Sequence, residues 1–220
     1  MSFSLKLIIG FGNPGEKYQD NRQNIGFKVI DVLGNDTNIE VRVKKKKSII
    51  GRGEIDNQEV VLLKPQTFVS LIGESVLYIA SFVRVNVNEI ICIFEDHTLP
   101  FGEIRIDYIV PSEPVFEHLG VKSIQKALKS GKFTKVRVGI GSVPGGMTMS
   151  EFLLKDFSED EHIRLIYIIN KAVEVVKMLV THDVEDVQNI YNPEGAPKLE
   201  RRIVRKIRVP NRGIFESRVL

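Results

Sequence analysis

An α/β fold, a twisted mixed sheet with helices on both faces, is what this sequence predicts, and three observations predict it. Short apolar runs at residues 5–9 and 89–94 have the length and bounding turns of buried strands. Other stretches repeat apolar residues at helical spacing, as Ile25, Val29, Ile30, Val32 and Leu33 do. The two kinds of segment are mixed along one chain, which points to helices covering a sheet in a single three-layer domain.

The elements follow in order. Residues 5–9 read as a first strand that ends in the turn 10–15, which makes a signal peptide the weaker reading of the N-terminus. Residues 24–33 read as a helix stopped by Gly34-Asn35-Asp36. Strands at 48–53 and 59–63 flank the turn residues Asp56-Asn57, and Pro65 ends the second. A helix is expected at 75–83, a buried strand at 89–94 and an alternating strand at 103–110. A helix at 121–129 and a strand at 135–140 come next. The long amphipathic helix 159–180 has Ser158 as its N-cap, and a shorter helix spans 184–191. The stretch Asn192-Pro193-Glu194-Gly195-Ala196-Pro197 then punctuates the chain. The expected organisation is a domain over 1–192 and a tail over 193–220.

Composition narrows the function. The chain has 220 residues, 43% hydrophobic and 27% charged, the balance of a globular protein with a substantial core. No apolar run approaches the ~20 residues of a membrane helix. Cys92, the only cysteine, lies in an apolar run and reads as a core residue, and no Cys/His cluster has metal spacing. The tail has eight basic residues against three acidic ones, a net +5 within a chain of net charge +3. A second basic run is Arg42-Val43-Lys44-Lys45-Lys46-Lys47. Both runs suit a phosphate backbone; a solvated surface is the preferred reading of the lysine run, and for the tail a solvated or disordered end suits as well.

Gly10, Gly12 and Gly15 have dinucleotide-loop spacing. However, Pro14 and the following Glu16-Lys17-Tyr18 do not begin a phosphate-binding helix, and no ribose-binding acid is well placed. The better use of the loop is to set the Asn13 amide at the end of a strand, where ligand sites gather in open α/β sheets.

The motifs become specific when read together. Gly10-Phe11-Gly12-Asn13-Pro14-Gly15, Tyr18, Asn21-Arg22-Gln23-Asn24 and Gly26-Phe27 open the chain. Leu63-Lys64-Pro65-Gln66-Thr67-Phe68, Leu99-Pro100-Phe101-Gly102 with Arg105, Gly120-Val121-Lys122-Ser123-Ile124, and residues 133–141 with Lys135 and Arg137 follow. In this order, over residues 5–192, they resemble the bacterial-type peptidyl-tRNA hydrolase family, so the fold expected is that of the family.

The resemblance implies hydrolysis of the ester between a peptide and tRNA. The family uses a histidine base, an aspartate that orients it, and asparagines that fix water and substrate. Asn13 and Asn24 match family asparagines, whereas Gln23 stands at the base and Glu95 at the aspartate. Ser70 and Leu119 stand where the family has asparagines, beside a matching His118. Residues 110–117 replace the glycine-rich loop before that motif. Tyr18, Asn24, Phe68, His118 and Leu119 then fall at substrate positions, and Arg105, Lys122, Lys135 and Arg137 at positions for RNA phosphates. No cofactor is implied.

A glutamine cannot take up a proton near neutral pH, and losing a positioned base costs ~10²–10⁴ in rate. Three readings follow. One is a catalytically impaired homologue that binds tRNA, peptidyl-tRNA or ribosome-associated RNA, with the tail as a further contact. Another is a working esterase whose base has moved to His97 or His118. The third is an interaction module acting through the tail. The expected setting is the cytoplasm or an organelle interior, and the expected state a monomer.

Overall fold

Lys6-Leu7-Ile8-Ile9-Gly10 forms β1 (Lys6–Gly10), the centre of the sheet in a computed structural model that describes residues 4–108 and 118–192. Its side chains alternate between two cores, with Ile8 facing one and Leu7 and Ile9 the other. Parallel neighbours flank it: β4 (Gln58–Pro65) on one side and β5 (Ile90–Asp96) on the other. The hairpin of β3 (Ser48–Ile55) and β4 turns at Asp56 and Asn57, both with positive φ, which matches the twist of the flanking strands. The two-residue strand β2 (Val43–Lys44) adds the edge beyond β3. On the other side, β7 (Thr134–Gly139) runs parallel to β5, and β6 (Ile104–Asp107) closes the sheet antiparallel to β7. The order is β2-β3-β4-β1-β5-β7-β6.

Helices cover both faces. α1 (Ile25–Asp36), α5 (Glu159–Thr181) and α6 (Val184–Tyr191) pack on Ile8, Leu62, Ile93 and Val136. α2 (Ile72–Val83) and α3 (Leu119–Leu128) pack on Leu7, Ile9, Leu63 and Phe94. This is the three-layer mixed α/β architecture expected. Ser158 caps α5 as read, its hydroxyl accepting from Glu161 N while the Glu161 carboxylate reaches back to Ser158 N. Cys92 is fully buried in the second core, and burial pushes its thiol pKa up.

Several expectations need correction. α1 continues through Gly34, Asn35 and Asp36. Gly34 does not stop the helix; it admits the returning chain, since a Cβ there would meet Ile39 O at 2.8 Å. α2 and α3 begin earlier than read, at Ile72 and Leu119. β4 runs past the expected residue 63 and ends at Pro65 as read, opposite Ser48 at the end of the ladder. β6 is confined to Ile104–Asp107, and the expected strand's end at residues 109–110 lies outside the described residues, as do 110–117 and the tail 193–220. A further helix, α4 (Met149–Leu154), has a Thr148–Glu151 capping box. Among the described residues no helix is long and apolar enough to cross a membrane.

Candidate functional site

The C-terminal ends of β1, β4 and β5 deliver the chemistry-bearing residues, and a close approach at the start of α1 holds them there. A Cβ at Gly10 would meet Gly26 O at 2.3 Å, and one at Gly26 would meet Ile93 O and Phe11 N at 2.4 Å. Only glycine lets this helix start press onto the strand ends. The paired bonds Phe11 N to Ile93 O (2.9 Å) and Phe27 N to Phe11 O (3.0 Å) fix the contact. Of the glycines that mimic a dinucleotide loop, Gly10 and Gly12 therefore serve packing, the Cβ of Gly12 striking the Phe27 ring, and Gly15 serves the turn with a φ of 108°.

Asn13 and Asn24 lock together across this junction. Asn13 N donates to Asn24 Oδ1 (2.8 Å), and Asn24 Nδ2 donates to Asn13 O (2.9 Å). The Asn13 side chain is oriented by the backbone: Val69 N donates to its Oδ1 (3.0 Å), so its Nδ2 must be the group 2.6 Å from Gln23. Gln23 therefore turns its carbonyl Oε1 to Asn13. Gln23 sits in the 3-10 turn Arg22–Asn24, whose first residue is a buried clamp. Arg22 Nη1 donates to Lys155 O (2.9 Å) and Asp156 O (2.6 Å), Nη2 pairs with Glu161 (2.6 Å), and the guanidinium lies over Phe152 and Phe157. Sequence reasoning quoted Arg22 within a motif but gave it no role.

Glu95 and His118 form the second unit. His118 Nδ1 accepts from Gly120 N (3.1 Å), so the proton is on Nε2, which donates to Glu95 Oε1 at 3.0 Å. The imidazole is buried against Phe94 and Phe11, at ring distances of 4.7 and 5.3 Å. Glu95 was expected to orient the residue at position 23, but its Oε1 holds His118, and its Oε2 is buried with no hydrogen-bond partner. His97 is half-buried in the turn after β5.

The remaining positions line the rim. Ser70 is exposed in the 3-10 turn Val69–Leu71, and Leu119, the first residue of α3, is 63% exposed. Gly120 packs between them and the core, where a Cβ would meet Phe11 and Val69 at 2.8–2.9 Å. Phe68 is exposed, with the Tyr18 ring edge-on to it at 6.4 Å. A cleft of about 500 Å³ opens beside Asn13 and Asn24, lined also by Phe27, Lys28, Lys64 and Gln66. Lys64 pairs with Asp31, and Lys28 with Asp20 at 2.8 Å; the Lys28 hydrogen bond lowers the Asp20 pKa. Lys28 was not singled out from sequence, because nothing local marks it. Among the described residues no group of three or more His, Cys, Asp or Glu side chains could hold a metal ion.

The four cations expected to face RNA are not alike. Lys135 is 4% exposed, and its ammonium donates inward to the carbonyls of Phe133 (2.9 Å), Gly131 (3.0 Å) and Tyr108 (3.4 Å). Burial lowers its pKa. Lys135 is thus corrected from a phosphate contact to an internal brace. Arg137 Nε donates to Asp96 (2.6 Å) and its Nη1 to Asp107 (2.8 Å), so two carboxylates already offset its charge. Arg105 is half-exposed beside Glu103 (3.0 Å), and Lys122 is exposed on α3.

Comparison with known proteins follows the same line. The peptidyl-tRNA hydrolase family model matches residues 7–200. A peptidyl-tRNA hydrolase of Clostridium perfringens is 40% identical over 189 residues, covering 84% of this chain and 96% of that protein. The chloroplastic peptidyl-tRNA hydrolase of Arabidopsis thaliana is 37% identical over 175 residues; the match covers 79% of this chain and 60% of that longer protein. The crystal structure of the Acinetobacter baumannii peptidyl-tRNA hydrolase is similar with a TM-score of 0.78 at 27% identity, covering 87% of this chain and 96% of that one.

Proposed function

This chain belongs to the peptidyl-tRNA hydrolase family, and from that premise we propose that it binds tRNA or peptidyl-tRNA at the Asn13–Gln23 site while having lost most ester-cleaving power. One observation carries the proposal: the side chain joined to Asn13 is that of Gln23, whose Oε1 accepts from Asn13 Nδ2 and whose neutral amide is far too weakly basic to serve as a proton acceptor. Neither the remaining lone pair of its carbonyl nor its NH2 group can take up the proton that an attacking water must shed. The acid that would polarise a base is committed to His118.

His118 does not replace the missing base. Its Nε2 carries the proton and faces Glu95, and its Nδ1 lone pair is taken by Gly120 N. The other substitutions compound the loss. Ser70 offers a hydroxyl, and Leu119 offers no polar group, where asparagine amides would hold substrate or a developing oxyanion. Each such donor is worth ~10²–10³ in rate.

Binding needs charge and placement more than a base. Asn13 and Asn24 are rigid, the Tyr18–Phe68 ring pair lies at the rim, and Arg105 and Lys122 supply positive charge at the surface. The tail 193–220, net +5, serves in this reading as a second RNA anchor outside the domain. The protein works where tRNA is used, in the cytoplasm or an organelle interior.

Gln23→His tests the proposal. Cleavage of an N-blocked aminoacyl-tRNA is expected to rise by roughly 10²-fold or more with tRNA affinity unchanged. A folded variant with unchanged binding and no gain in cleavage would reject Gln23 as the lesion.

A further inference from the structure

The lysine run 42–47 is not a loosely solvated stretch. Val43 and Lys44 are paired in β2, opposite Ile50 and Ile49. The chain then turns back at once: Lys45 N donates to Ser48 O (2.9 Å), and Lys46 takes a left-handed backbone with φ of 52°. The turn is tied to the domain through the Lys47 carbonyl, which accepts from Gln66 N (2.8 Å) and from Ser75 Oγ of α2 (3.0 Å). Four consecutive lysines are therefore held at a fixed place beside α2.

The face of α2 next to that turn is aromatic. Ile72, Val76, Ile79 and Ala80 bury the inner side of the helix. Tyr78 and Phe82, one turn apart, point outward and are 38% and 54% exposed. Their rings are parallel within 2° at a centroid distance of 6.4 Å. Lys45 Nζ stands 4.1 Å from the Phe82 centroid and Lys46 Nζ 5.5 Å from that of Tyr78. Lys47 pairs with Glu74 at 3.2 Å, whereas among the described residues no carboxylate pairs with Lys44, Lys45 or Lys46. Exposed Arg84 ends the helix.

Parallel, partly exposed rings and ammonium groups that no carboxylate among the described residues pairs with, which can swing from the rings to phosphates, complement a ligand with flat apolar rings strung on a polyanion. We propose that this face binds unpaired nucleic acid, with bases stacking on Tyr78 and Phe82 and phosphates taken by Lys44, Lys45 and Lys46. Single-strand binders combine these two elements, an aromatic platform and a cationic track. An acidic peptide would satisfy the lysines and leave the rings in water. A membrane surface would need a broader apolar face than Leu77, Tyr78 and Phe82 provide on a helix whose other exposed residues, Glu74 and Ser81, are polar. The surface is distinct from the Asn13–Gln23 site, yet it lies on the helix that begins beside Val69. Phe82 is ten residues beyond Ile72, about 15 Å along the axis. The inference does not depend on whether the ester is cleaved.

Tyr78→Trp provides the test, because the chain has no tryptophan and the new indole reports this face alone, with the basic tail still present. The full chain carrying Tyr78→Trp is titrated with single-stranded oligouridylate, with polyglutamate, and with phosphatidylserine/phosphatidylcholine vesicles. The expected result is saturable quenching by the oligonucleotide only. Adding Phe82→Ala weakens the apparent affinity roughly 5- to 100-fold, the cost of one lost stack. Adding Lys45→Ala with Lys46→Ala lowers the log–log salt slope by about 1.4, at ~0.7 per single-strand phosphate. All four positions are exposed or partly exposed, and circular dichroism melting confirms that the variants fold. Indole emission unchanged at oligonucleotide concentrations that saturate the protein would overturn the proposal. So would an equal response to polyglutamate or vesicles. Failure of the tRNA-site reading would instead appear as unaltered cleavage in Gln23→His, with this quenching intact.

Discussion

Replacing Asn13 by alanine or by aspartate separates two consequences of one hydrogen-bond chain. Alanine removes the acceptor of Val69 N, which is buried, and the donor to Gln23, which is half-exposed. A buried donor left without a partner costs about 1–3 kcal/mol, while Gln23 regains its bond from water. With the small void added, Asn13→Ala is expected to cost about 2–3 kcal/mol. For a chain of this size that is a fall in Tm of roughly 4–12 °C. Aspartate keeps an oxygen for Val69 N and presents a second oxygen to Gln23. The glutamine amide then reverses, its Nε2 donating, and stability stays within about 1 kcal/mol of the parent. Urea unfolding of the three proteins reads the difference. Equal losses in the two variants, or a stable alanine variant, would refute the orientation assigned to Asn13. The placement of the Gln23 carbonyl on Asn13 would fall with it.

The other predictions concern the frame around the site. Arg22→Ala strips a buried guanidinium from two carbonyls and from Glu161; with Glu161 a quarter exposed, the expected loss in denaturant unfolding is about 2–4 kcal/mol. Burial alone would raise the Glu161 pKa, but hydrogen bonds from Ser158 and Arg22, with the Arg22 charge, outweigh it and hold the group below its ordinary 4.5. A carboxylate depressed on folding stabilises fully above that value and loses its contribution as pH falls through the lower folded one. Glu161→Gln should therefore be less stable than the parent at pH 7, with the gap in Tm closing below about pH 4.5; a constant gap would contradict it. Gly26→Ala should cost about 3 kcal/mol or more by the same unfolding assay, because its Cβ meets backbone atoms of Ile93 and Phe11 that no rotamer change can move.

What the sequence reveals depends on whether the signal is local. Ser158 with Glu161 announces the start of α5, and the paired turn residues Asp56 and Asn57 announce the hairpin, since both act within a few positions. Thr148 with Glu151 carries the same capping signature, but α4 has only six residues and one buried side chain, so no periodicity accompanies it. Gly34 is legible as a glycine but not as a packing contact, because its partner Ile39, five residues on, reaches it only through the left-handed turn at Asn38, which the sequence does not announce. The motif residues Asn13, Gln23 and Asn24 do converge, through hydrogen bonds that sequence order alone does not specify. The bond between Glu95 and His118 spans a separation that no local pattern encodes. Lys135 shows the limit most clearly: a lysine in a strand reads as a surface cation, and only the carbonyls of Tyr108, Gly131 and Phe133 make it internal.

The central claim is that substrate is held where cleavage has been lost. Its most direct test measures release of a labelled N-blocked aminoacyl group from tRNA by the unaltered chain, alongside binding of the same tRNA. Saturable binding with release no faster than in buffer is the predicted result. Release well above buffer, absent from a mock purification, would contradict it and show that a proton acceptor other than residue 23 serves the site.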